Sequence, residues 1–225
     1  MIRSVLFDTE TTGLDPLTGD RMIEVAALEL LNDLPTGAYF HALVDPQRDI
    51  PADATRVHGI TAAQLAGKPL FGDIADALLA FFGDGKLIAH NAPFDFGFIN
   101  AELARVNRPS LDKARMVDTL VMAKQRFPGM PASLDALCRR FSIDLSARTS
   151  HNALLDCKLL AEVYIELTGG RQRGLSLASN KGPTAITVYT HTGERTPRLI
   201  QPSDAELAAH DAFVGKLKEP LWRAA

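Results

Sequence analysis

Asp8 and Glu10 stand two residues apart at the end of the apolar run Arg3 to Asp8. Side chains alternate along an extended chain, so both carboxylates of Phe7-Asp8-Thr9-Glu10-Thr11-Thr12-Gly13 point to one face and can ligate one cation or a pair of cations. Neighbouring carboxylates repel. Protonation, a cationic side chain or a metal relieves the crowding, and hard oxygen donors suit Mg²⁺ or Mn²⁺. Alone, an Asp-x-Glu is more simply a strand end entering a polar turn. A second cluster is Ala89-His90-Asn91-Ala92-Pro93-Phe94-Asp95-Phe96, where Asp95 falls in the first turn of a helix and the helix dipole favours a carboxylate whatever its use. The third is His151-Asn152-Ala153-Leu154-Leu155-Asp156. Five residues on a helix turn through about 140°, so His151 and Asp156 share a face only if the histidine sits in the preceding loop.

The elements that must hold these groups follow from periodicity and punctuation. Arg3 to Asp8, Met22 to Leu31 and Ala38 to Val44 read as strands, and Lys86 to His90 as a fourth behind Gly83-Asp84-Gly85. Ile74, Leu78, Phe81 and Phe82 give Asp73 to Phe82 a helical stripe. Pro93 suits the first turn of a helix running to about Arg105. Val117 to Arg126, Ser133 to Phe141 with Ser133 as N-cap, and Asn152 to Leu167 ended by Gly169-Gly170 read as three more helices. Strands first and helices later, with one crossover, predict an α/β or α+β layered domain of about 170 residues.

Composition bounds the function. Of 225 residues, 46% are hydrophobic and 23% charged, as in ordinary globular chains. The formal charge of -3 argues against a broad basic face coating nucleic acid. Residues 170 to 225 carry eight basic against five acidic side chains, and the part before them 16 against 22, so an acidic body precedes a mildly basic tail. That acidity is either a solvated surface or a cation-holding cluster. Cys138 and Cys157 make neither a disulfide framework nor a Cys-x-x-Cys pattern, and MIRSVLFDTE is neither a signal peptide nor a membrane span. The expectation is a cytoplasmic protein without a membrane partner.

The order Asp-x-Glu, Asp, His-x-x-x-x-Asp resembles the DEDD family of 3′ to 5′ exonucleases, His subclass. FDTETTG, HNAPFDFGF and HNALLD followed by AEVYIELTGG, with DAELAAHDAF and PLWRA near the end, resemble the proofreading (epsilon) subunits of bacterial polymerase III over nearly the whole chain. The resemblance implies a ribonuclease-H-like mixed sheet flanked by helices. It implies two Mg²⁺ or Mn²⁺ ions held by Asp8, Glu10, Asp95 and Asp156, about 3.5 to 4 Å apart, one activating water and one stabilising the leaving 3′ oxygen. His151 then acts as general base rather than as a ligand. Thr11 and Thr12 hold the terminal nucleotide of a single-stranded 3′ end of DNA, Val57, His58, Asn91 and Phe94 line its sugar and base, and His90 is structural.

The expected organisation is an exonuclease domain at 1–170, a flexible linker at 171–202 and a polymerase-binding segment at 203–225. Gln172, Leu175 and Leu177 resemble a sliding-clamp peptide, although Leu177 stands where an aromatic residue is usual, and a plain solvated linker stays open. Ser203-x-x-Glu206 is a capping box, followed by a partial apolar stripe of Leu207, Phe213, Val214 and Leu217. Leu207, Phe213 and Trp222 are the expected contacts with the catalytic subunit of the replicative polymerase. The function implied is removal of mispaired 3′-terminal nucleotides. Two rivals share parts of the pattern: a stand-alone exonuclease acting on RNA or single-stranded DNA, and a non-catalytic scaffold between polymerase and clamp.

Overall fold

The computed structural model of the chain describes residues 2–146, 148, 151–170 and 201–218. Strands β1 (Arg3–Thr11), β2 (Met22–Leu31), β3 (Leu34–Leu43), β4 (Lys86–Ala89) and β5 (Met116–Asp118) form one mixed sheet in the order β3-β2-β1-β4-β5. β1 runs antiparallel to β2 and parallel to β4, which is parallel to β5. The helices are α1 (Ala52–His58), α2 (Ala62–Leu65), α3 (Phe71–Phe82), α4 (Ala92–Arg105), α5 (Thr119–Arg126), α6 (Leu134–Arg140), α7 (Ala153–Leu167) and α8 (Asp204–Val214). This is the mixed α/β sheet flanked by helices that the motifs imply. Two compact units divide the chain, Met1–Leu175 and Ser176–Ala225. No helix among the described residues is long and apolar enough to cross a membrane.

β1 is the middle strand, and its alternation sorts the core. Val5 and Phe7 pack with Phe71, Leu78 and Phe82 of α3 and Ile99 and Leu103 of α4. Leu6 faces the other side, against Ala123 of α5, Leu137 of α6 and Leu160 and Val163 of α7. Phe7 is held between the rings of Phe82 and Phe96, with centroids 5.2 and 5.7 Å away. Burial on both faces anchors the strand, at roughly 1.5–3 kcal/mol for each fully buried large apolar side chain. Asp8 and Glu10 continue the Leu6 face and so look toward α7, whereas Thr9 looks toward α4.

Four expectations change. Val117 and Asp118 belong to β5 instead of a helix, because Asp118 caps α5 by accepting from the Leu120 amide at 2.9 Å, and the chain before a cap is extended. β3 begins at Leu34 rather than Ala38, after a tight turn in which Asn32 and Asp33 both have positive φ. α1 and α2 were not expected. The two parallel pairings also require two crossovers where one was expected.

Candidate active site

The site lies at the carboxyl end of β1, in a cleft of about 1160 Å³ whose lining includes Asp8, Glu10, Asp95, His151 and Asp156. β1 supplies Asp8 and Glu10. Asp95 comes from the first turn of α4, and its Oδ1 accepts from the Thr9 amide at 3.0 Å and the Thr9 hydroxyl at 2.8 Å. Asn91, before that turn, has φ of 65°, a left-handed conformation asparagine tolerates, and its amide donates to Asp118 Oδ1 at 3.0 Å. The turn between β4 and α4 is thereby braced by the start of α5.

α7 carries Asp156 in its first turn, and His151 lies in the loop before the Asn152 N-cap. That placement brings the His151 Nδ1 atom to 3.5 Å from Asp156 Oδ2, the arrangement the five-residue spacing permits only outside the helix. His151 is also tied to α1, its amide donating to the Val57 carbonyl at 3.2 Å. Donor atoms of Glu10, His151 and Asp156 lie within 4.8 Å of one another, so one cation can reach all three. His151, expected to need no metal, therefore sits within reach of one.

The electrostatics match the crowding. Burial, reinforced by the charges of Asp95, Glu10, Asp156 and Glu24, pushes Asp8 well above the usual carboxyl range. Glu10 is pushed up to about 8 by burial and then by Glu24, Asp156 and Asp95. Asp95 rises to about 7 through burial, against the lowering effect of its bonds from Thr9. Asp156 goes the other way: burial would raise it, but the hydrogen bonds from Arg148 and His151 hold it below the ordinary value. Buried oxygen donors that resist ionising together form a site suited to hard divalent cations.

Two neighbours of the cluster carried no readable signal in the sequence. Glu24, opposite Glu10 on β2 and only 1% exposed, accepts from the Ala153 amide at 3.2 Å and from Asn152 Nδ2 at 3.3 Å. It holds the start of α7. Arg148 clasps both oxygens of Asp156 at 2.6 Å and also bonds Asp135 of α6. Glu24 sits inside a strongly apolar strand and Arg148 in a Ser- and Thr-rich loop, and neither setting suggests a site.

The expected nucleotide contacts divide. Val57, His58, Asn91 and Phe94 all line the cleft, with Phe94 packed on Phe98 at a centroid distance of 4.9 Å. His58 is buried and its Nδ1 accepts from the Ile60 amide at 3.0 Å, so its proton sits on Nε2, which is buried without a hydrogen-bond partner among the described residues. Burial, then the charge of His151, keeps His58 below the usual histidine value. Thr11 and Thr12 line the cleft too, but their hydroxyls work within the turn: Thr11 donates to the Gly13 carbonyl at 2.6 Å, and Thr12, wholly buried, accepts from the Arg21 amide at 3.0 Å. His90, half-buried, has Nδ1 at 2.9 Å from the Thr119 hydroxyl. Gln172, Leu175, Leu177 and Trp222 lie outside the described residues. In the second unit, the Ser203–Glu206 capping box is formed, and Leu207 and Phe213 of α8 are exposed while Val214 is buried.

Residues 5–164 match the family model described as Exonuclease. The DNA polymerase III subunit epsilon of Rickettsia felis is 46% identical over 222 residues, covering 96% of this chain and 97% of that one. Its counterpart in Escherichia coli is 36% identical over 239 residues, covering 99% and 98%. Among solved structures, exonuclease X in complex with 5′ overhanging duplex DNA superimposes with a TM-score of 0.56 at 28% identity, covering 75% of this chain and 91% of that one. The chain is thus an exonuclease and belongs to the family of DNA polymerase III epsilon subunits.

Proposed function

We propose that the protein removes mispaired 3′-terminal nucleotides from DNA as the proofreading subunit of a replicative polymerase, releasing nucleoside 5′-monophosphates in a reaction that needs two Mg²⁺ or Mn²⁺ ions. Asp8, Glu10, Asp95 and Asp156 would hold the ions. Bound there, the pair supplies an activated water and a charge clamp on the scissile phosphate. His151, at the mouth of the site and about half exposed, accepts the water's proton. Glu24 fixes the start of α7, so that Asp156 and His151 face β1 in a set geometry. Phe94 and Val57 offer apolar surface to a sugar and base, and the unpartnered His58 Nε2–H offers a donor. None of these groups reads base identity, as an enzyme removing any mispaired terminus requires.

One observation carries this function: four carboxylates from three separate elements and His151 from the loop before α7 converge on one cleft, in a chain related to epsilon subunits over 96% of its length. Residues 203–225 would anchor the catalytic subunit of the polymerase through Leu207, Phe213 and Trp222, with 171–202 as linker and Gln172, Leu175 and Leu177 as contact for a sliding clamp. The test is co-purification of the full chain with the replicative polymerase, followed by mismatch excision by the complex with and without EDTA. Excision of mispaired over paired termini, abolished by EDTA and absent when Asp8 is alanine, is expected. Full activity in chelator, or a full chain that never co-elutes with the polymerase, would reject the corresponding half of the proposal.

A further inference from the structure

Asp156 is occupied. The Arg148 Nε donates to Oδ1 and its Nη2 to Oδ2, both at 2.6 Å, a bidentate fork on a carboxylate only 5% exposed. The same Nη2 lies 3.0 Å from His151 Nδ1, and Nη1 donates to Asp135 in the first turn of α6. Arg148 itself is 10% exposed, so this is a built contact and not a surface pair. Of the three closest donors in the acidic cluster, Glu10, His151 and Asp156, the guanidinium holds two. Its charge is also felt at Asp8 and Glu10.

A divalent cation bound by Asp156 would sit about 2.0–2.1 Å from an oxygen that already carries a guanidinium N–H, with two positive centres side by side on a carboxylate only 5% exposed. The two occupants compete for the same carboxylate. Asp135, with a side chain 40% exposed, gives the guanidinium a second anchor facing water. We propose that Arg148 is the resident counter-cation of the site: it holds Asp156 and covers His151 Nδ1 in the cation-free enzyme, and yields both while keeping Asp135 when a divalent cation enters. This rests on the assignment of Asp156 as a cation ligand. Arg148 is a positioning residue here, and it weakens cation binding while it keeps the unloaded carboxylates assembled. Release of Asp156 and uncovering of the His151 Nδ1 atom are then a single movement.

The experiment is Mn²⁺ titration of the full chain, followed by electron paramagnetic resonance and calorimetry at pH 8.5, for wild type, Arg148→Gln and Arg148→Lys, with circular dichroism to establish folding. Arg148→Gln should bind the first Mn²⁺ about 10- to 100-fold more tightly than wild type, the range expected for a charge-assisted hydrogen-bonded competitor removed. Arg148→Lys, charged but unable to form the fork, should fall between. In wild type, the Arg148 Nε–H resonance should move on saturation with Mg²⁺ as its bond to Asp156 breaks. Folded Arg148→Gln that binds Mn²⁺ no more tightly than wild type, or an Nε–H resonance unmoved by saturating Mg²⁺, would overturn the exchange and leave the cation site standing. Absence of Mn²⁺ binding by wild type and variants alike would remove the cation site and the exchange together.

Discussion

Glu24 stands directly opposite Glu10 in the β1–β2 ladder, and the two carboxylates have divided their tasks. Glu24 is taken up by its own partners: His41 Nε2 lies 2.7 Å from Oε1, Asn152 donates to the same oxygen, and the Ala153 amide donates to Oε2. Glu10 faces the cleft, where Glu24 is the first charge, after burial, that pushes its carboxyl up. One acid builds the support and the other is left facing the cleft. Replacing Glu24 by Ala removes the acceptor under the start of α7, and a stability loss of about 1–3 kcal/mol is expected from the buried donors left unpaired. Outer partners of metal ligands typically change cation affinity by about 10- to 100-fold when lost, so the Mg²⁺ concentration for half-maximal activity should rise by that order. Urea denaturation and a Mg²⁺ titration of nucleotide release check the two effects separately.

The cation-free protein should lose stability as pH rises from 6.5 to 8. Glu10 moves from 4.5 to about 8 on folding and Asp95 from 3.8 to about 7, so in this range the folded chain holds protons that the unfolded chain has released. Where the native state binds more protons, stability falls with rising pH. His58 and His90, both pushed below 6.5 chiefly by burial, oppose this where the unfolded histidines still hold protons, an opposition that is strongest at the lower end of the range and fades toward pH 8. Mg²⁺, binding only the folded state, should flatten the slope. Urea midpoints in EDTA and in Mg²⁺ at pH 6.5 and 8 decide it, and a cation-free protein more stable at pH 8 would contradict the assignment.

Much of this arrangement was legible in the sequence because it is local. Met22–Leu31 is apolar almost without interruption, as a strand covered on both faces must be, and the helix start at Ser133 announces itself by its cap, which accepts from the Ala136 amide at 3.3 Å. The missed pieces lack a period. β5 is three residues long, too short for alternation to register. The first half of β3 contains Pro35 and Gly37, which read as a turn but are tolerated on an exposed edge strand. α1 buries only His58 and so shows no apolar stripe. In the site, the spacing of the carboxylates and His151 left each fragment ambiguous and only the resemblance carried by their combined order singled them out, whereas Glu24 and Arg148 act through contacts with residues whose proximity only the fold creates.

His151→Ala should slow the chemical step by roughly 10²–10⁴-fold, the usual contribution of a positioned general base. The side chain is 49% exposed, so its removal leaves little cavity and the fold should be unaffected. Because His151 is within reach of a cation shared with Glu10 and Asp156, Mg²⁺ binding must be measured beside the rate. Single-turnover release from a 3′-labelled strand at saturating Mg²⁺ isolates the base role. A full rate under those conditions would remove His151 from proton transfer.

Gly13 is the final test of how the cleft rim is held. Its backbone φ is unexceptional, so the argument is one of space: a Cβ there would lie 2.2 Å from Asp20 Oδ2 and 2.5 Å from Oδ1. A free carboxylate would swing aside at little cost. This one is pinned, since Arg48 Nη1 donates to Oδ1 at 3.0 Å, the Asp15 amide to Oδ2 at 3.2 Å and the Thr12 hydroxyl to Oδ1 at 3.4 Å. Gly13→Ala must therefore either break these bonds or displace the turn through Thr12 and Leu14, both of which line the cleft. Overpacking of this kind costs about 1–3 kcal/mol. Asp8 and Glu10 sit on the β1 strand before the turn, so the loss should appear as a raised KM for the DNA strand with a smaller change in kcat. Asp20→Ala removes the obstructing carboxylate, and the double variant Gly13→Ala with Asp20→Ala should be more stable than the sum of the two single losses. Additive losses in denaturation would show that the methyl group is accommodated elsewhere and that Asp20 does not set the conformation of the rim.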